Sequence, residues 1–217
     1  MTTGTEDVAL QLALSETEVR ALGERGWFLR DGLLGGPTAL AAHDAVQALA
    51  AAGRLRPAAL GRGSTRRVDE AYRGDAIAWI AADGVPVGLE PLWDAFTALR
   101  DALNRDAYLG LGGLEVQVAR YPGGGAAYGR HRDAFPAPSA ARPNRRVTAI
   151  YYANPAWAAA DGGALRLHAD DGPVDVDPLL DRLLVFLSER VEHEVLPTRV
   201  PRWAVTAWLR ARNPPCD

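Results

Sequence analysis

The chain has 217 residues, of which 48% are hydrophobic, with a formal charge of −3; this suits one globular domain and argues against a disordered tail. All 24 cationic residues are arginine, which excludes a Schiff-base lysine, a phosphate-loop lysine and kinase-type nucleotide chemistry. The single cysteine, Cys216, is penultimate, which argues against a disulfide framework, a zinc finger or an iron–sulfur cluster. The acidic balance gives no footprint for nucleic acid, no apolar run approaches the roughly 20 residues of a membrane span, and the N-terminus lacks a leader pattern. A cytoplasmic protein binding neither nucleic acid nor membrane is expected.

Taken in chain order, the first hundred residues read mainly as helix. Ser15 and Glu18 have capping-box spacing, and Gly23 and Gly26 close the short helix that follows. Trp27-Phe28-Leu29 reads as a short strand. Pro37 opens an alanine-rich helix to about Ala52, with Gly53 as its stop. Residues 54–74 lack periodicity and read as a long loop, a length usually reserved for function or disorder. Pro91 starts another helix, with Leu92, Phe96, Leu99 and Leu103 repeating every three or four residues.

After Gly113 the pattern changes to alternating or continuously apolar segments. Strands are expected at 114–121, 128–132, 146–152, 163–168, 173–177, 182–187, 193–196 and 203–210, separated by turns such as Pro122-Gly123-Gly124-Gly125 and Asp170-Asp171-Gly172-Pro173. The glycine run lacks the lysine and following helix of a phosphate loop and reads as a turn. Helices first and short strands afterwards make the chain α+β, with a sandwich, jelly roll or barrel as its β core.

Four histidines, His43, His131, His168 and His193, are the whole supply for any imidazole site. Two histidines and a carboxylate on one face of iron leave positions open for substrates. His131-Arg132-Asp133 has the right spacing, because residues i and i+2 of a strand share a face. His168-Ala169-Asp170 has the same spacing, but Asp170 runs into a hairpin turn, so His168 reads as an ordinary strand-end residue. His43, in a helix beside Asp44, reads as structural or exposed. His193 starts a late strand and Arg202 a later one. Arg202 is either exposed after Pro201 or buried before Trp203-Ala204-Val205-Thr206-Ala207-Trp208, in which case it needs an anionic partner such as a carboxylate.

At these residues the chain resembles the iron(II)- and 2-oxoglutarate-dependent dioxygenases, specifically the prolyl hydroxylases similar to those that modify hypoxia-inducible factor. The matching segments are Arg73 to Ile80, Tyr121 to Gly125, Tyr128 to Asp133, Val147 to Tyr152, Asn154, Trp157, Gly162 to Arg166, Asp181 to Phe186, His193-Glu194-Val195 and Arg202 to Trp208. Together they span roughly residues 27–210. The resemblance implies a double-stranded β-helix of jelly-roll type over 114–210, with residues 1–113 as helical support and substrate loop, in one catalytic domain over 1–217. It implies that His131, Asp133 and His193 bind iron(II), and that Arg202 pairs with the distal carboxylate of 2-oxoglutarate, with hydrogen bonds from Tyr152 and Thr206. Tyr121, Ile150, Leu165, Val195 and Trp208 would line the co-substrate pocket. Arg73, Asp75, Trp79 and Arg145 match positions that meet the peptide substrate or position the loop over it.

The implied activity is hydroxylation of a prolyl residue in a protein or peptide, with dioxygen as co-substrate, release of succinate and carbon dioxide, and ascorbate as a candidate reductant. No catalytic side chain beyond the metal ligands is implied. The same chemistry on a free amino acid or natural product is an alternative, and so is a catalytically silent module that senses 2-oxoglutarate or metal. The stretch Ala134 to Asn144 is longer and richer in Pro and Ala than in the oxygen-sensing enzymes and lies where substrate would enter.

Overall fold

The computed structural model describes residues 12–59, 68–69, 72–135 and 144–212. Cys216 and most of the Pro/Ala-rich stretch, residues 136–143, lie outside these.

Three helices precede most of the strands. The first, α1 (Glu16–Glu24), begins on the expected capping box: the Glu18 amide donates to Ser15 Oγ at 3.2 Å, and the Ser15 amide donates to Glu18 Oε2 at 2.8 Å. After β1 (Trp27–Asp31) comes α2 (Gly36–Ala51), whose N-cap is Gly35. With no side chain of its own to cap that end, the helix is served from afar: the Leu34 and Gly35 amides donate to the buried Asp181 carboxylate at 2.8 and 2.9 Å. The longest helix, α3 (Glu90–Asp106), buries Leu92, Phe96, Leu99 and Leu103, the stripe expected from their spacing.

All eight expected strands are present: β4 (Leu111–Tyr121), β5 (Ala126–His131), β6 (Arg145–Tyr152), β7 (Leu165–Ala169), β8 (Gly172–Val176), β9 (Arg182–Leu187), β10 (Glu192–Thr198) and β11 (Arg202–Ala211). Two further strands fall in the region expected to be helix and loop, the two-residue β2 (Arg56–Pro57) and β3 (Ala76–Ile80). The alternation in β3 is masked by small Ala76 and Ala78, and the strand depends on pairing with β4, which is distant in sequence.

The strands form two antiparallel sheets, β1-β9-β6-β11-β4-β3-β2 and β5-β10-β7-β8. Facing each other, β4 to β11 make the double-stranded β-helix. The larger sheet is covered on its outer face by the helices, whose Val46, Leu92, Phe96, Leu99 and Leu103 share one core with Val118, Val147, Tyr151, Val185 and Val205. Its inner face packs through Tyr121, Ile150, Tyr152 and Leu184 against Leu165 and Val195 of the smaller sheet. No helix among the described residues is long and apolar enough to cross a membrane.

Candidate active site

Strand pairing brings the two histidines together. His131 ends β5, His193 lies near the start of β10, and they are direct partners in that ladder, with ring centroids 4.3 Å apart. Asp133 follows two residues after His131. One donor atom from each of the three lies within 4.8 Å of the others, within reach of a single ion. Each histidine Nε2 is 3.7 Å from an Asp133 oxygen.

The surroundings prepare these groups as ligands. His131 Nδ1 is 2.8 Å from the Gly129 carbonyl, which can only accept, so Nδ1 carries the proton and Nε2 presents a lone pair. Tyr128 stacks on the His131 ring at 3.8 Å and Phe186 lies 4.7 Å from His193, limiting how far either ring can rotate. Burial pushes His193 down to about 4, keeping it neutral at physiological pH. For Asp133 burial works in the opposite direction, but His193, His131 and Arg145 outweigh it and hold the carboxyl below its ordinary range. Thr148 Oγ donates to Asp133 Oδ2 at 2.9 Å and sits 2.8 Å from Ser188 Oγ, so the carboxylate is braced from the floor of β6. Two imidazoles and one carboxylate suit a hard-to-borderline divalent ion with positions left open.

Arg202 stands across the same cavity. It is only 2% exposed, so the buried alternative holds. Its Nε donates to the Gly163 carbonyl at 2.7 Å, and its guanidinium lies 5.0 Å from the Tyr121 ring and 5.1 Å from that of Tyr152. Nη2 is buried without a hydrogen-bond partner among the described residues, and so is the Tyr152 hydroxyl. A buried cation left short of an acceptor is costly, so this corner is built for an anionic ligand. Burial raises Tyr152 to about 12 against the pull of Arg202, so the phenol keeps its proton and can donate. Gly163, at φ +75°, makes room: a Cβ there would come within 3.0 Å of the Arg202 side chain and 2.9 Å of Thr198.

The cavity between these groups measures about 280 Å³. Its wall includes His131, Asp133, His193, Arg202, Thr206, Tyr121, Ile150, Leu165, Val195 and Trp208, and toward the mouth Arg73, Asp75, Trp79 and Arg145. Every site residue expected from the sequence thus lines this cavity except Tyr152, whose ring lies 5.1 Å from the Arg202 guanidinium. The mouth residues are partly committed to one another. Arg73 grips the buried Asp75 through two hydrogen bonds of 2.8 and 3.1 Å and lies over the Tyr128 ring, 4.5 Å from its centroid. Arg145 pairs with Glu115 at 3.1 Å and stacks on Trp208 at 3.8 Å. Trp79, 55% exposed, stands at the rim against Trp208. The second His-x-Asp is elsewhere: His168 meets Glu194 at 3.0 Å, and Asp170 bonds Arg190. His43 bonds the Ala153 carbonyl at 2.7 Å and is structural.

Sequence reasoning did not single out Thr148, Ser188, Phe186 or the cavity-lining Gln117, whose Oε1 accepts from Arg73 Nη2 at 3.4 Å. The first two are common residues in apolar runs, and only the register β6–β9 and the return of Asp133 reveal their contact. Tyr128, three positions before His131, was within the matched segment but assigned no role.

A double-stranded β-helix holding a two-histidine, one-carboxylate donor set opposite a buried arginine defines the class: a protein with a mononuclear metal site facing an anion-binding corner. Residues 116–210 match the 2OG-Fe(II) oxygenase superfamily. The chain is 34% identical to Egl nine homolog 1 from Homo sapiens over 214 residues, covering 92% of this chain and 47% of that protein, so it spans about half the relative's length. A Pseudomonas putida prolyl-4-hydroxylase superposes with a TM-score of 0.79 at 36% identity, over 90% of this chain and 98% of that one. A prolyl hydroxylase from Trichoplax adhaerens, solved with a hypoxia-inducible factor oxygen degradation domain peptide fragment, superposes with a TM-score of 0.76 at 32% identity, over 89% and 87%. The chain belongs to the 2OG-Fe(II) oxygenase superfamily, and the relatives it matches over most of their length bear prolyl hydroxylase names. Iron(II), 2-oxoglutarate and dioxygen are the reagents of that family, and the donor triad and the unpartnered Arg202 fit the first two.

Proposed function

We propose that this protein hydroxylates a prolyl residue in a peptide or protein substrate. The observation that carries the reading is the pairing, in one cavity, of the His131–Asp133–His193 triad with a buried Arg202 whose Nη2 lacks a partner. When bound, iron(II) with 2-oxoglutarate and dioxygen supplies the oxidising power to put one oxygen atom into a C–H bond, with succinate and carbon dioxide released.

The chain's own residues do the rest. His131 and His193 offer imidazole nitrogens and Asp133 the charge that anchors the ion. Arg202 receives the distal carboxylate of 2-oxoglutarate, with Tyr152 and Thr206 donating to it, while Tyr121, Ile150, Leu165, Val195 and Trp208 exclude water from its methylenes. The Arg73–Asp75 pair, Trp79 and Arg145 shape the mouth that admits the prolyl ring. The shared core of α3 with β4, β6 and β11 supports the reading that helices and strands act as one catalytic domain. The peptide seen with the Trichoplax relative supports a polypeptide as substrate here.

The test is mass spectrometry of host-proteome peptides after incubation with enzyme, iron(II) and 2-oxoglutarate. A gain of one oxygen on proline, matched by succinate, is expected. Succinate coupled only to a small metabolite would instead assign a small-molecule substrate, and no turnover at all would remove the enzymatic reading.

A further inference from the structure

A second cleft lies beside the active-site mouth, and Trp79 belongs to both. It measures about 450 Å³ and is lined by Leu49, Arg54, Arg56 and Pro57 on one side, Gly84 and Pro86 on another, and the strand residues Ile77 to Ile80 along its floor. Successive strand residues point to opposite faces of a sheet. Ile77 packs into the core between the sheets and Ile80 into the core beneath the helices, yet both line this cleft. A cleft that meets side chains from both faces is seeing the strand along its edge.

That edge is open. β2 pairs only with Ala76 and Ile77, through Pro57 and Arg56, so residues 78–80 have β4 on one side and no strand on the other among the described residues. Three residues offer about 10 Å of edge, enough for a three-residue segment to add as a strand. The lining holds two arginines and no acid. Arg56 is turned onto the Leu55 and Gly53 carbonyls, whereas Arg54 is exposed and makes no side-chain hydrogen bond or ion pair among the described residues.

We propose that the polypeptide substrate, once its target proline is in the iron cavity, continues past Trp79 and lies as an added strand along β3 residues 78–80, with an acidic side chain facing Arg54. The proposal rests on the prolyl hydroxylase reading for what occupies the first cavity. It makes the second cleft a specificity site for a segment flanking the proline: main-chain hydrogen bonds confer affinity for an extended chain, and Arg54 selects its charge.

The test uses synthetic proline-centred peptides of about five and about fifteen residues, the longer ones with acidic, neutral or basic flanks. Binding is read by fluorescence anisotropy on the protein and hydroxylation by mass spectrometry with iron(II) and 2-oxoglutarate. Two or three added backbone hydrogen bonds should make the long acidic peptide bind about tenfold tighter than the short one, with the gain in KM rather than kcat. Gly84→Trp fills the cleft from a position where an added Cβ meets nothing within 4 Å, and it should remove the length advantage while thermal melting stays parental. Arg54→Glu should reverse the preference between acidic and basic flanks. Equal affinity for short and long peptides, or a length advantage that survives Gly84→Trp, overturns the proposal. If the long peptide binds in a Gly84-dependent manner but no peptide is hydroxylated, the strand site stands and the prolyl hydroxylase reading falls.

Discussion

The two faces of strand β11 are equally buried but chemically opposite. Along β11, Trp203, Val205, Ala207 and Leu209 face the helices, while Arg202, Ala204, Thr206 and Trp208 face the iron cavity, and all eight are buried. The helix-facing set is wholly apolar and closely packed, as a face serving only stability should be. The cavity-facing set holds a guanidinium with an unmet donor and, on the neighbouring β6, a threonine bonded to a metal-binding carboxylate. Burial therefore does not distinguish structural from functional positions on this strand; the unmet Arg202 donor beside the cavity does.

This contrast can be broken by substitution, and the largest effect should come from the metal centre. Asp133→Ala should lower iron(II) content and 2-oxoglutarate turnover by more than about a thousandfold, since outer partners of metal ligands alone are worth ~10–100-fold. Metal analysis and succinate release check this, with His168→Ala, outside the triad, changing neither by more than about twofold. On the other face, Phe96→Ala should cost about 3–5 kcal/mol in chemical denaturation, because it empties a fully buried aromatic site, while KM for 2-oxoglutarate stays parental.

Arg202→Met should have the reverse signature. The 2-oxoglutarate KM should rise about a hundredfold from loss of a buried charge pair. The stability of the ligand-free protein should stay level or rise, because a buried cation short of an acceptor is removed. A clear loss of stability would show that Arg202 is structural in the way the helix face is. The smallest effect should be that of Thr148→Val, which keeps shape but removes the donor to Asp133. Iron(II) affinity should fall about tenfold with melting little changed, and unchanged affinity would limit the brace to packing.

Much of the fold was legible because the strands from 114 on are short, apolar and punctuated by glycine turns, α1 carries a capping box and α3 a clear apolar stripe. Strand β3 was not, because two alanines flatten its alternation and its partner β4 lies far along the chain. In the site, His131-x-Asp133 was singled out by the spacing expected of a strand, although β5 ends at His131 and Asp133 lies in the bend beyond it, and was separated from His168-x-Asp170 by the turn that follows Asp170. The remaining residues were reached through ordered resemblance to a family. Thr148 and Ser188 had no local signal, since their importance comes from sheet register.

By itself the sequence determined the inventory and the local periods: no lysine, four histidines, helices before strands, and two His-x-Asp motifs of which one runs into a turn. These are properties of neighbouring residues and survive without a fold. Only the tertiary structure decided that His193 pairs across β5–β10 with His131, that Arg202 is buried with a donor unspent, that Arg73 is tied to Asp75, and that β3 leaves an edge open beside Trp79. Each of these depends on segments distant in sequence meeting at a particular register, and long-range register is set by packing of the whole sheet.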